Sequence, residues 1–224
     1  HTRTRRQRQM CIRDRSGGHT QLLSINSLGQ YERYGTTLDD AAGEAFDKGA
    51  KLLGLGYPGG PAIEKCAKTG NPESIKLPTP RQQYRDCHFS FSGIKTALAN
   101  SVSKHSGPIP TADFAASLQA TISSSLISRS EIAMERFASS AISEKNKMTF
   151  VVAGGVAANE EIRKNLKSLA ESRNFNMILP PLEFCTDNAA MIAWVGMEYH
   201  MIGENTEFDF APKPRWPLDL SLIH

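Results

Sequence analysis

The sequence predicts an α/β protein, and three observations carry that reading. MTFVVAGGVAANEEIRKNLKSLAESR (148–173) runs strand, Gly-Gly turn, helix. NMILPPLEFCTDNAAMIAWVGMEYHMI (176–202) repeats the order with a Pro-Pro loop before the turn. A third run, QLLSINSLGQYERYG (21–35), pairs two β-type stretches around a Leu-Gly turn and predicts a hairpin.

Each element has a local cause. TLDDAAGEAFDKGAKLLGLG (37–56) reads as a helix, with Thr37 as its cap, Asp39 and Asp40 suited to the positive first turn, and Gly54 or Gly56 ending it. Ala42, Ala45, Phe46, Gly49, Leu52 and Leu53 make its apolar face, while Asp40, Glu44, Asp47 and Lys51 recur on the opposite one. YPGGPAIEKCAKTG turns sharply into another helix, with Pro61 at a favoured early position. Residues 71–87, rich in proline and charge, read as a loop. HFSFSGIKTALANSV alternates Phe89 and Phe91 with Ser90 and Ser92 and turns helical near Gly93, and residues 111–144 form one long helix or two in sequence.

Composition sets the outer bounds. The 224 residues are 40% hydrophobic and 22% charged, ordinary for a globular protein with ample core. No apolar run reaches membrane-spanning length, and no membrane partner is expected. Four widely spaced cysteines, Cys11, Cys66, Cys87 and Cys185, form no CxxC pair and suit free thiols in a reducing compartment. Charge is uneven: residues 1–15 hold six arginines and one acid, a net +5, in a chain whose total is +3. A basic arm for nucleic acid is one reading of that leader. The other, preferred because the leader has no hydrophobic period, is a non-native or disordered segment that packs on nothing. On that view the strand that should support the following turn has been lost.

Three glycine turns gather polar groups beside helix starts: SGGHT (16–20), YPGGP (57–61) and AGGVAAN (153–159). Glycine lets backbone N–H groups approach a phosphate or carboxylate. One such turn can be mere geometry; three suggest the nucleotide cleft of a duplicated α/β fold.

SGGHTQL, TLDDAAGEAFDKGAKLLGLGYPGGPAIEK, FSFSGIKTAL, AGGVAANEEIR and FCTDNAAMIAW occur in this order. Together they resemble the tRNA N6-adenosine threonylcarbamoyltransferase family, once labelled glycoprotease or O-sialoglycoprotein endopeptidase. The resemblance runs from Ser16 to about Asp219, leaving 220–224 as a tail, and the ending PKPRWPLD is similar to the bacterial-type branch and its mitochondrial relatives. It implies the actin-like ATPase fold of sugar kinases and heat-shock ATPases, incomplete at the N-terminus, with 16–219 holding part of the first lobe and the second lobe. It implies transfer of threonylcarbamoyl from threonylcarbamoyl-adenylate to N6 of the adenosine 3′ of the anticodon, in tRNAs reading codons that begin with A. A paralogous actin-like protein and a small ATPase are the implied accessory partners, and the bacterial cytoplasm, or alternatively the mitochondrial matrix, the implied location.

By the same resemblance, Ser16, Gly17 and Gly18 cradle the phosphate and acyl part of the adenylate, and Asp47 accepts from the ribose hydroxyls. Gly60 lies against the nucleoside with Glu64 as a neighbouring polar contact, and Asn159 reaches the nucleotide. Read without the resemblance, Asp47 is a charge on a solvated helix face paired with Lys51, Gly60 a bare turn, Glu64 a partner of Lys68, and Asn159 a helix cap. Asp47 is expected on an exposed position whose replacement by alanine changes folding little. Asp187 matches a ligand of the family's divalent metal, iron or else zinc, though it could simply cap a helix. The family's other ligands are two histidines four residues apart. None of His1, His19, His88, His105, His200 and His224 stand at that spacing, so the expected chain is a C-terminal portion, inactive by itself. No residue is singled out as a catalytic base. A binding or scaffold chain with half a cleft is the alternative, and a small-molecule kinase lacks a visible acidic base. A peptidase is set aside, since no HExxH and no serine, histidine and acid set stands out.

Overall fold

In a computed structural model of the chain, the described residues are 9–15, 19–140, 148–181 and 189–204. Five strands form one mixed sheet among them: β1 (Gln9–Arg15), β2 (His19–Ser27), β3 (Gln30–Thr36), β4 (Met148–Ala153) and β5 (Phe175–Ile178), in the order β3-β2-β1-β4-β5. The hairpin expected at 21–35 is present as β2 and β3, closed by Gly29 at φ 76°, a conformation open to glycine.

Residues 9–15 correct the expectation of a leader that packs on nothing. They form the central strand, antiparallel to β2 (Gln9 opposite Ile25, Arg15 opposite His19) and parallel to β4 (Gln9 opposite Thr149, Arg13 opposite Ala153). The physical reason is that a ladder is built from backbone N–H and C=O groups, which Arg13, Asp14 and Arg15 carry as well as any apolar residue. β2 and β4 would each present an unpaired edge without it. The supporting strand of the first glycine turn is therefore present. Residues 1–8 lie outside the described residues.

The helices are α1 (Ala42–Leu52), α2 (Gly59–Ala67), α3 (Ser92–Lys104), α4 (Thr111–Ser140), α5 (Glu160–Ser172) and α6 (Ala189–Met201). The helix foreseen from Thr37 begins later, at Ala42. Thr37 instead donates its hydroxyl to the Asp40 carbonyl and bridges to Phe89, while the Glu44 carboxylate accepts from the Ala41 N–H at 2.9 Å. Gly54 at φ 70° follows the α1 end, as read. α2 starts at Gly59, so Pro61 is its third residue, still within the turn where a missing N–H costs nothing. Residues 111–140 are one helix of 30 residues.

α4 is the axis of the core. Phe114, Leu118, Ile122, Leu126, Met134 and Phe137 are buried on it, against Phe46 of α1, Ile63 of α2, Leu98 of α3 and Leu166 of α5. Its polar residues are drawn inside too: buried Arg129 donates to the backbone carbonyls of Tyr84 and Asp86 at 2.7 and 2.9 Å, tacking the 71–87 loop to the helix. Arg81 adds an ion pair to Asp86. Phe89 and Phe91 stack 5.8 Å apart in the core, the alternation the sequence showed.

The central place of β1 sets an expected outcome. Ile12→Pro removes a ladder donor and leaves a backbone carbonyl opposite it unsatisfied, a loss of about 1–3 kcal/mol before any strain. Thermal melts followed by circular dichroism check it; an unchanged midpoint would mean that β1 does not hold the sheet together.

Candidate functional site

β1 and β4 are parallel neighbours, so their carboxyl ends lie at one end of the sheet. From β1 the chain proceeds outward through β2 and β3, and from β4 it proceeds the other way to β5. Open α/β sheets take ligands beyond the carboxyl ends of such parallel neighbours. The turn 16–18, which joins the paired residues Arg15 and His19, starts from this end, but Ser16, Gly17 and Gly18 lie outside the described residues. After β4, Gly154 takes φ 100° and a 3-10 turn, Gly155–Ala158, leads into α5.

Asn159 caps α5: its Oδ1 accepts from the Ile162 N–H at 3.0 Å and its Nδ2 donates to Gln119 Oε1 at 2.8 Å. The side chain is buried and committed to these two bonds, which is the structural role read for it from sequence. Asp47 is half-buried, and its Oδ1 accepts from the Gly59 N–H at 2.7 Å, capping α2 from a neighbouring helix. It is thus not a solvated charge paired with Lys51, and the expectation of an exposed position is corrected. The reason is long-range: only the α1–α2 packing places the Gly59 N–H over it. Gly59 has no room to spare, since a Cβ there would lie 2.5 Å from the Asp47 Cα. Gly60 differs, because a Cβ there would meet nothing within 4 Å.

Glu64, on the next turn of α2, reaches across to accept from the Glu160 N–H at 2.7 Å, the first residue of α5. Lys68 pairs with Glu160 at 3.7 Å and not with Glu64. Between α2, α4 and α5 a cleft of about 440 Å³ is lined by Glu64, Lys68, Gln119, Glu160, Lys164 and Asn165 among others. Asp47, Gly60, Glu64 and Asn159, spread over more than a hundred residues of sequence, are therefore linked through α2 and α5. Asp187 lies outside the described residues. Among the described residues no three His, Cys, Asp or Glu side chains gather to hold a metal ion, so these residues alone do not fit one.

Two residues stand here that the sequence did not single out. Asp39 accepts from the Ser90 hydroxyl (2.6 Å), the Phe91 N–H (2.7 Å), the Ser92 N–H (3.2 Å) and the Ser92 hydroxyl (2.8 Å), and so holds the start of α3. Burial pushes its carboxyl up, but these bonds outweigh burial and hold it below its ordinary value. Gln119 links Asn159 to Glu161, donating to the latter at 2.5 Å. Nothing local marks either residue; Asp39 sits in TLDD, where it reads as a first-turn acid.

Comparison with known proteins shows the family. The family described as tRNA N6-adenosine threonylcarbamoyltransferase matches residues 12–194, a span that takes in the end of β1. Proteins of that name are similar along most of the chain. The one from Sinorhizobium medicae is 50% identical over 208 residues, covering 91% of this chain and 57% of its own. That from Pelagibacter ubique is 50% identical over 204 residues with the same two shares, and that from Bartonella tribocorum is 48% identical over 215, covering 93% and 59%. The chain thus spans a little over half the length of these relatives. A solved structure, that of T.kodakarensis HypF, matches 65% of this chain and 18% of its own at 20% identity and a TM-score of 0.45, too slight a likeness to carry an argument.

The caps generate two expected outcomes. Asp47→Ala loses an N-terminal acceptor of α2, about 1 kcal/mol, or roughly 2–4 °C in Tm. Gly59→Ala lowers Tm further because backbone must shift, while Gly60→Ala leaves it unchanged or raises it. Differential scanning calorimetry of the three variants checks the order. For Asp39 the folded value is depressed, so its contribution is whole above the ordinary carboxylate value of 3.8 and is lost as pH falls through the lower folded one. Asp39→Asn is expected to lower Tm at neutral pH by a few degrees and to flatten the fall of Tm below pH 4; parallel Tm–pH curves for the two proteins would contradict it.

Proposed function

The chain belongs to the tRNA N6-adenosine threonylcarbamoyltransferase family, and from that premise we propose that its crevice binds threonylcarbamoyl-adenylate as part of a transferase acting on tRNA. Membership carries the actin-like ATPase fold, of which these residues form a part. The observation that supports the site most is the convergence of Asp47, Gly60, Glu64 and Asn159 on the α2–α5 junction, next to the carboxyl ends of two adjacent parallel strands. Asp47 Oδ1 is taken by Gly59, and among the described residues Oδ2 has no partner, so one oxygen remains to accept from ribose hydroxyls. The open space at Gly60 admits the flat face of a nucleoside, and any side chain there would fill it. Glu64 and Asn159 act mainly by fixing the start of α5, where they take the Glu160 and Ile162 N–H groups.

In the proposed reaction N6 of the tRNA adenosine attacks the carbamoyl carbon of the adenylate. The bond from that carbon to the phosphate oxygen breaks, AMP leaves with the electron pair, and N6 gives up its proton. The N–H groups of the turns at Ser16–Gly18 and Gly154–Gly155 would stabilise the phosphate and the charge that develops on the carbamoyl oxygen. Positioning supplies the rest. Asp187 is proposed as one ligand of the family's divalent ion, iron or zinc, whose further ligands are not among the described residues. The bacterial cytoplasm or the mitochondrial matrix, and the paralogous actin-like and small ATPase partners, belong to the same proposal. No described helix is long and apolar enough to cross a membrane.

Calorimetric titration with AMP or a hydrolysis-resistant adenylate tests the site. Asp47→Asn, which can still cap α2, is expected to lose about 1.5–3 kcal/mol of affinity, tenfold to over a hundredfold. Gly60→Ala should weaken binding with its Tm intact. Mass-spectrometric assay of modified tRNA is expected to show no transfer by the 224-residue chain alone and transfer once the rest of a family member is supplied. Undiminished affinity in both folded variants would end the nucleotide reading.

A further inference from the structure

We propose that Gln119, on α4, is a positioning residue for the nucleotide: it fixes which way round the Asn159 amide stands, and so which atom of Asn159 a ligand meets. This rests on the nucleotide reading of the site and adds to it a residue that the reading leaves out.

Gln119 is only 3% exposed. Burying an amide is unfavourable unless both of its ends are hydrogen-bonded. Both are: Oε1 accepts from Asn159 Nδ2 at 2.8 Å, and Nε2 donates to Glu161 Oε2 at 2.5 Å. The two bonds span 40 and 42 residues of chain, so neither follows from forming α4. They join α4 to the first turn of α5 at two points, the cap residue Asn159 and Glu161.

The polarity of this chain of bonds is set from its ends. An ionised carboxylate only accepts, so Glu161 takes the Gln119 NH2 and turns the Gln119 carbonyl towards Asn159. A backbone N–H only donates, so Ile162 takes Asn159 Oδ1 at 3.0 Å and turns the Asn159 NH2 towards Gln119. The two amides agree in this arrangement alone. Reversing either one would set oxygen against oxygen or nitrogen against nitrogen.

Asn159 is 6% exposed, with Oδ1 on Ile162 and one Nδ2 hydrogen on Gln119. An amide nitrogen carries two hydrogens. The second is what the side chain offers a ligand, and it suits an acceptor such as a phosphate or ribose oxygen. Gln119 also lines the cleft between α2, α4 and α5, with Glu64, Lys68, Glu160 and Lys164.

Calorimetric titration of the 224-residue chain with AMP tests this, with Tm measured alongside. Gln119→Met keeps the side-chain length and removes both bonds, and about tenfold weaker binding is expected. Asn159→Asp keeps the α5 cap, because a carboxylate accepts from the Ile162 N–H, but removes the N–H that Gln119 holds. In that background Gln119→Met is expected to lose no further affinity, since the group it acts through is already gone. A merely structural Gln119 would lower Tm in both backgrounds and leave affinity unchanged, or lower it equally in both. Gln119→Glu keeps the acceptor towards Asn159 and sets a second carboxyl against Glu161. One proton held between the two restores the donor. Its affinity, as a ratio to that of the unaltered chain, is therefore expected to recover as pH falls from about 8 to about 5. The cleft charges Glu64, Lys68, Glu160 and Lys164 are common to both proteins and cancel in that ratio. Should Gln119→Met not fold, the ratio decides. Undiminished affinity in folded Gln119→Met, equal losses in the two backgrounds, or a ratio flat with pH would overturn the proposal. Binding that responds to Asp47→Asn but not to these variants would overturn it alone, whereas no AMP binding by the unaltered chain would overturn the nucleotide reading and this proposal together.

Discussion

The backbone ladder of β1 is the interaction on which the rest of this structure depends. It is the only strand that joins the β2–β3 hairpin to the β4–β5 pair among the described residues, antiparallel on one side and parallel on the other. Remove it and the sheet divides into two two-stranded pieces, each too small to hold a helical layer by itself. With it, the carboxyl ends of β1 and β4 stand side by side. The strand does this with an arginine-rich sequence, because the pairing is made by main-chain groups.

Among the helices a second constraint repeats. The first N–H groups of a helix have no partner inside it, and three helices here take a carboxylate from another segment: α3 from Asp39, α2 from Asp47 and α5 from Glu64. Each carboxylate favours the positive end of the helix it meets. On the proposed reading, stability and recognition draw on the same residues, and Asp47 is the clearest case: one oxygen caps α2 and the other has no partner among the described residues.

Gly59 and Gly60 show how finely the backbone divides these roles. Adjacent in sequence and equal in composition, they differ in that one is packed against the Asp47 backbone and the other faces open space. Asn159 shows the reverse economy, with its amide buried and engaged at both ends, holding the start of α5.

The sequence by itself determined the element types and most of the turns. Hairpin, glycine turns, the long α4 and the FSFSG alternation all rest on short-range signals: periodicity, φ-permissive glycine, and the aversion of proline to ladders and helix interiors. The family motifs were legible for the same reason, being contiguous. Only the tertiary structure decided what the carboxylates do. Asp39 and Asp47 read as first-turn and solvent-facing charges, Glu64 as a partner of Lys68, and each meets instead an N–H carried by a different helix. β1 was missed because pattern recognition weighs side chains, while a central strand can be specified by two neighbours whose main-chain groups need partners. Those partners are set by packing between segments far apart in the chain, and no local window contains them.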